Sequence, residues 1–101
     1  MSKTFFLIIA DGYSVILKPD KSESFGFGLR QLGPGLFIIA NIDPQGSAYR
    51  NGRIRSGDVV TAVNDRQITE GLNIEMVTDM IRGSQDIVKL MLIARTHVPG
   101  R

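Results

Sequence analysis

Short apolar runs, broken by glycine, proline, asparagine and aspartate, divide this chain into pieces of strand length. The first, Phe5 to Ala10, is unbroken and closes at Asp11-Gly12. Tyr13 to Lys18 then predicts a β-strand that ends near Pro19. Phe27 to Leu32 predicts another, stopped by the tight turn Gly33-Pro34-Gly35. Leu36 to Ala40 is apolar throughout, the pattern of a strand buried on both faces. Val59 to Val63 follows, then a turn at Asn64-Asp65, a brief strand at Gln67-Ile68, and a last strand from Ile87 to Ile93.

Two segments read as helix. Asp43-Pro44 reads as a helix start or a turn, followed by a short helical piece from Ser47 to Arg50, with Asn51-Gly52 as a stop that tolerates left-handed backbone. Asn73 can cap the longer one, Ile74 to Arg82, which Gly83 ends. Within it Ile74, Val77, Thr78 and Ile81 share one face at spacings of three and four, and Met80 is turned from that face toward the core. No repeat or low-complexity tract interrupts the series. The sum is an α+β, mainly β domain of five or six short strands with one minor and one major helix.

A chain of 101 residues with 43% hydrophobic and 22% charged positions has room for one core. At this size about 60–70% of the unfolded surface is buried, so neither disulfide nor metal is needed to fold. The absence of cysteine removes disulfides, thiolate nucleophiles and cysteine-ligated zinc together, and fits a reducing compartment. A formal charge of +2 is too small to point to nucleic acid, despite an isoelectric point near 9.3. Phe5–Ala10 is too short to span a bilayer and lacks the small-residue cleavage site of a signal peptide. The expected organisation is an N-terminal extension with an extra strand over 1–12, a folded domain over 13–95 and a flexible tail over 96–101.

Candidate chemistry centres on Ser24-Phe25-Gly26-Phe27-Gly28-Leu29. Two glycines stand between bulky apolar residues where a loop runs into a strand, and no nucleophile, acid/base pair or metal ligand is among them. Bare backbone N–H groups beside apolar side chains suit a carboxylate that carries an apolar group. A phosphate loop does not fit: the spacing is not G-x-G-x-x-G, no Lys-Ser/Thr follows, and the next element is a strand. His97, the only histidine, falls in the tail, while Asp58 and Asp65 sit in turns and read as turn formers. No catalytic residue, metal ligand or cofactor is assigned, and an enzyme is not expected. Arg50, Arg53 and Arg55, with Arg66 nearby, read as solvated turn arginines. Their alternative is contact with anionic lipid headgroups or an acidic partner.

Several separated segments resemble one family, the PDZ domains. Ser24-Phe25-Gly26-Phe27 resembles their carboxylate-binding loop, usually Gly-Leu-Gly-Phe. Asp43-Pro44-Gln45-Gly46-Ser47-Ala48 and Asn51-Gly52-Arg53-Ile54-Arg55-Ser56-Gly57-Asp58 resemble the family's short helix and the turn after it. Val59-Val60-Thr61-Ala62-Val63-Asn64 is similar to its "Gly-Asp-x-Ile-x-x-Val-Asn" strand. Glu70-Gly71-Leu72 with Val77 and Met80-Ile81-Arg82 is similar to the run into and along its second helix. The resemblance spans Tyr13 to Arg95, in the family's order. Three positions depart from it: Ser24 replaces the first loop glycine, Asp65 stands where glycine is usual, and Ile74 where many members carry histidine.

The resemblance implies a partly opened five- to six-stranded barrel or sandwich flanked by one short and one longer helix. It implies that a partner's C-terminal strand lies between strand 27–32 and helix 74–82. Ser24, Phe25, Gly26 and Phe27 would form the carboxylate loop, with the N–H groups of Phe25, Gly26 and Phe27 as donors. Phe27, Gly28, Leu29 and Arg30 would pair with the peptide. Phe25, Phe27, Leu29, Ile74, Val77, Thr78 and Ile81 would make the hydrophobic and specificity pocket. Isoleucine at 74 can neither donate nor accept, so the expected ligand ends Φ-x-Φ-COOH, a class II pattern. The implied partners are C-terminal tails of membrane receptors, channels, or adhesion and signalling proteins. The implied setting is cytoplasmic, at the inner face of the plasma membrane or a junctional scaffold, with the chain a piece of a larger scaffold. Weak self-association through the N-terminal strand is the further alternative.

Overall fold

The computed structural model describes residues 12–19, 24–84 and 86–94. Its strands are β1 (Gly12–Leu17), β2 (Phe27–Gly33), β3 (Leu36–Ile42), β4 (Val59–Val63), β5 (Arg66–Gln67) and β6 (Val88–Ile93). Two helices, α1 (Ser47–Asn51) and α2 (Ile74–Arg82), lie between them. The strands form one antiparallel sheet in the order β1-β6-β4-β3-β2, with β5 attached to β4. The sheet is open rather than closed, and β1 and β2 are its two ends. Strand and helix limits fall within two residues of those expected. The expected strand at 5–10 and tail at 96–101 lie outside the described residues.

Alternation produces the core. Val15 and Leu17 of β1 point inward with Val88, Leu90 and Leu92 of β6, while Ser14 and Ile16 face out. Phe37, Ile39, Val60, Val63 and Val77 are also fully buried. Each aliphatic chain so buried contributes about 1.5–3 kcal/mol. In β3, Phe37, Ile38 and Ile39 are all buried, as a continuous apolar run requires, and only Leu36 and Asn41 are exposed.

Helix α2 begins as its sequence dictates. The Asn73 Oδ1 accepts the Met76 N–H at 2.8 Å, a cap worth about 1 kcal/mol. Val77 and Ile81 then reach into the core, and Ile74 and Met80 pack against it, which lays the helix over the sheet beside β2. The β4–β5 turn is left-handed at both Asn64 and Asp65 (φ 51° and 70°). Their side chains stabilise it: Asn64 Oδ1 accepts the Lys89 N–H, and Asp65 Oδ1 lies 2.9 Å from Lys89 Nζ.

Candidate functional site

The loop before β2 is held by its carbonyls. The Phe25 carbonyl accepts from the Ala48 N–H at 3.0 Å and the Ser47 hydroxyl at 3.2 Å, and the Gly26 carbonyl accepts from the Asp43 N–H at 2.8 Å. Both carbonyls are therefore pinned to the chain around α1. A trans peptide plane sends its N–H opposite its C=O. Fixing the Phe25 carbonyl therefore aims the Gly26 N–H away from α1, and fixing the Gly26 carbonyl does the same for the Phe27 N–H. Gly26 makes this approach possible. Its φ is +81°, and a Cβ there would sit 2.8 Å from the Gly46 Cα. Of the donors expected from the sequence, the Gly26 N–H is taken in this structure by the Ser24 hydroxyl oxygen at 3.1 Å.

The direction of the β2 backbone groups follows from the neighbouring ladder. Ile39 gives its N–H to the Asp58 carbonyl and takes the Gly57 N–H, so both its groups point away from β2. Leu29 faces Ile39 in the register, which makes this a non-hydrogen-bonded pair. The Leu29 N–H and C=O therefore point to the free side of the sheet. Alternation gives the same direction to Phe27 and Gln31, and turns Gly28 and Arg30 toward β3. The bulge at Gly28/Leu29 puts its extra residue on β3 and leaves this alternation intact. Sequence reasoning grouped Phe27, Gly28, Leu29 and Arg30 as one pairing strand. Of these, Phe27 and Leu29 turn their backbone groups to the open side, and Gln31 is the next residue in that row.

The apolar candidates converge, at different depths. Phe25 (7% exposed), Val77 (0%) and Ile81 (7%) belong to the core itself. Phe27, Leu29 and Ile74 are half-buried against the same cluster, and Thr78 is half-buried. Val77 is thus wholly inside the core and presents no accessible surface. The accessible candidates are Phe27 and Leu29 on β2 and Ile74 and Thr78 on α2. At the far end of β2, residues Gln31 to Pro34 and Glu70 to Asn73 line a shallow cleft of about 490 Å³.

The arginines that read as solvated turn residues have individual contacts. Arg50 donates to the Gln45 carbonyl at 2.9 Å, and Arg53 to the Ser14 carbonyl at 2.9 Å with its guanidinium 5.3 Å from the centre of the Tyr13 ring. Arg55 is exposed, and its backbone N–H goes to Asp58. Asp58 is more than a turn former: it is 4% exposed and accepts the Tyr13 hydroxyl. Burial, and then this hydrogen bond, push the Tyr13 hydroxyl well above the usual phenol range. No group of histidine, cysteine and carboxylate side chains that could hold a metal occurs among the described residues.

A family model for the PDZ domain matches residues 14–93. Over 63 residues the chain is 36% identical to "Partitioning defective 3 homolog B" of Homo sapiens, a stretch that covers 62% of this chain and 5% of that protein. The Mus musculus protein of the same name gives the same figures. The chain therefore matches only a small part of the length of these curated relatives. Among solved structures, the crystal structure of the Dlg1 PDZ2 domain of the choanoflagellate Monosiga brevicollis superposes with a TM-score of 0.76. That match covers 83% of this chain and 99% of the other at 20% identity, and it is a likeness of fold.

Proposed function

The chain belongs to the PDZ domain family, whose members are non-catalytic protein-interaction modules, and we propose that it captures the free C-terminus of a partner protein by adding the partner's last residues as a strand beside β2. The observation that carries this reading is the pair of pinned carbonyls at Phe25 and Gly26. They aim successive N–H groups to one side at the head of a strand whose own free groups, at Phe27, Leu29 and Gln31, face that same side. A carboxylate settles on the loop, and the residues before it pair outward along β2 beneath α2. Backbone donors do not titrate, so the site holds its ligand over a wide pH range.

The terminal side chain of the ligand enters between Phe27, Leu29 and α2, where burial of a Val- or Leu-sized group is worth about 1.5–3 kcal/mol. With a few strand hydrogen bonds the affinity is micromolar, about −8 kcal/mol. Ile74, half-buried at the first turn of α2, meets the residue two before the terminus and favours an apolar one there. The partners are C-terminal tails of membrane or signalling proteins, and the setting is the cytoplasmic face of a membrane or junctional scaffold. Selection from a library of random C-terminal decapeptides tests the preference, with amide shifts of the bound chain read by NMR. Enrichment of Φ-x-Φ ends, with shifts at Phe27, Leu29 and Gln31, supports the reading. Enrichment of Ser or Thr two residues before the end overturns the class II assignment, and shifts confined to other elements overturn the site.

A further inference from the structure

We propose that the Ser24 hydroxyl is an internal competitor for the ligand's carboxylate, so that Ser24 sets how tightly the loop holds a C-terminus. This rests on the C-terminal peptide reading and goes one step beyond it. The Ser24 Oγ lies 3.1 Å from the Gly26 nitrogen and accepts its N–H. That N–H is one of the groups the pinned Phe25 carbonyl turns away from α1. A carboxylate that uses the Gly26 donor must displace the hydroxyl or share the proton with it, and an N–H divided between two acceptors binds each more weakly. A loop with glycine in place of Ser24 has no such rival. Ser24 is exposed, and the cost of displacing its hydroxyl from the Gly26 N–H is subtracted from every carboxylate that uses that donor.

The same geometry says what a charge at this position does. Asp43 Oδ1 accepts the N–H two residues ahead, at Gln45, at 2.9 Å, and Asn51 Oδ1 does so at Arg53 at 3.0 Å. An aspartate at position 24 would span the identical interval to Gly26 and place a fixed anion where the ligand's carboxylate must settle. Two anions cannot share one set of amide donors without repulsion.

The test is titration of the full chain and its Ser24→Ala, Ser24→Gly and Ser24→Asp variants with one fluorescent decapeptide ending Leu-Lys-Val, as free acid and as amide. Native folding of each variant is checked by its NMR spectrum. We expect Ser24→Ala and Ser24→Gly to bind the free acid about three- to tenfold more tightly, the worth of one neutral hydrogen bond. Ser24→Asp should bind it at least about tenfold more weakly, with part of the loss recovered in high salt. The amidated peptide should be indifferent to all three changes. Unchanged or weaker free-acid binding by Ser24→Ala overturns the proposal, as does an equal shift for acid and amide, which would mark a structural role. If the unaltered chain does not distinguish acid from amide, the C-terminal reading fails first and this inference with it.

Discussion

Among the described residues the sheet ends at β1 and at β2, and the two edges are treated oppositely. At β1, Thr61 Oγ1 donates to the Met91 carbonyl, so that carbonyl points toward β4 and its register partner Ser14 points its own groups outward. Arg53 then plugs that edge, its guanidinium on the Ser14 carbonyl and over the Tyr13 ring. At β2 the outward groups of Phe27, Leu29 and Gln31 carry no such plug among the described residues. They are bordered by a helix and led in by a loop with its carbonyls tied back. An unpaired edge is a hazard that proteins usually blunt. Among the described residues one edge is blunted by a charged side chain and the other is left open.

The contrast breaks most completely at Gly26. Gly26→Ala forces a side chain into left-handed backbone and onto Gly46, at about 1–3 kcal/mol of strain before the clash is counted. We expect a clear loss of thermal stability together with loss of peptide binding, measured by calorimetry and fluorescence anisotropy. Tyr13→Phe acts at the other edge. Removal of a donor from buried Asp58 should cost about 1–3 kcal/mol in urea unfolding and leave peptide affinity unchanged. The raised Tyr13 pKa carries a sign as well. Above pH about 10 the unfolded chain loses the phenol proton and the folded chain keeps it, so proton uptake on folding makes stability fall with rising pH. Tyr13→Phe should flatten that part of the curve.

Smaller effects sharpen the comparison. Arg53→Ala unplugs β1 and removes a cation–π contact, at about 0.5–1 kcal/mol. With Ile16 exposed beside it, we expect more self-association in sedimentation velocity and no change in peptide affinity. The smallest expected change is in selectivity. Ile74→His should move preference at the residue two before the ligand's end toward Ser or Thr by about fivefold, the worth of one hydrogen bond, in paired titrations.

Much of this was legible in the chain. Asn73 announced the start of α2 because an N-cap acts on residues within one turn, and the run Phe37 to Ile39 announced burial because strand periodicity is local. The loop glycine was legible for the same reason. What escaped depended on contacts distant in sequence. Asp58 reads as a turn former until Tyr13, 45 positions away, is brought onto it. Helix spacing puts Val77 on one face with Ile74, Thr78 and Ile81 without saying how deep that face sits, and the fold buries Val77 completely. The alternation of Phe27, Leu29 and Gln31 toward the open side needed the register with β3, which no single strand contains.

The central claim, that a loop with its carbonyls tied back and an unplugged strand together hold a free C-terminus, is tested most directly by one pair of titrations. A decapeptide with apolar residues at its end and two before it, as free acid and as C-terminal amide, is titrated into the unaltered chain and followed by anisotropy. Micromolar binding of the acid with at least about a tenfold loss on amidation is the expected result. Equal binding of the two would contradict it.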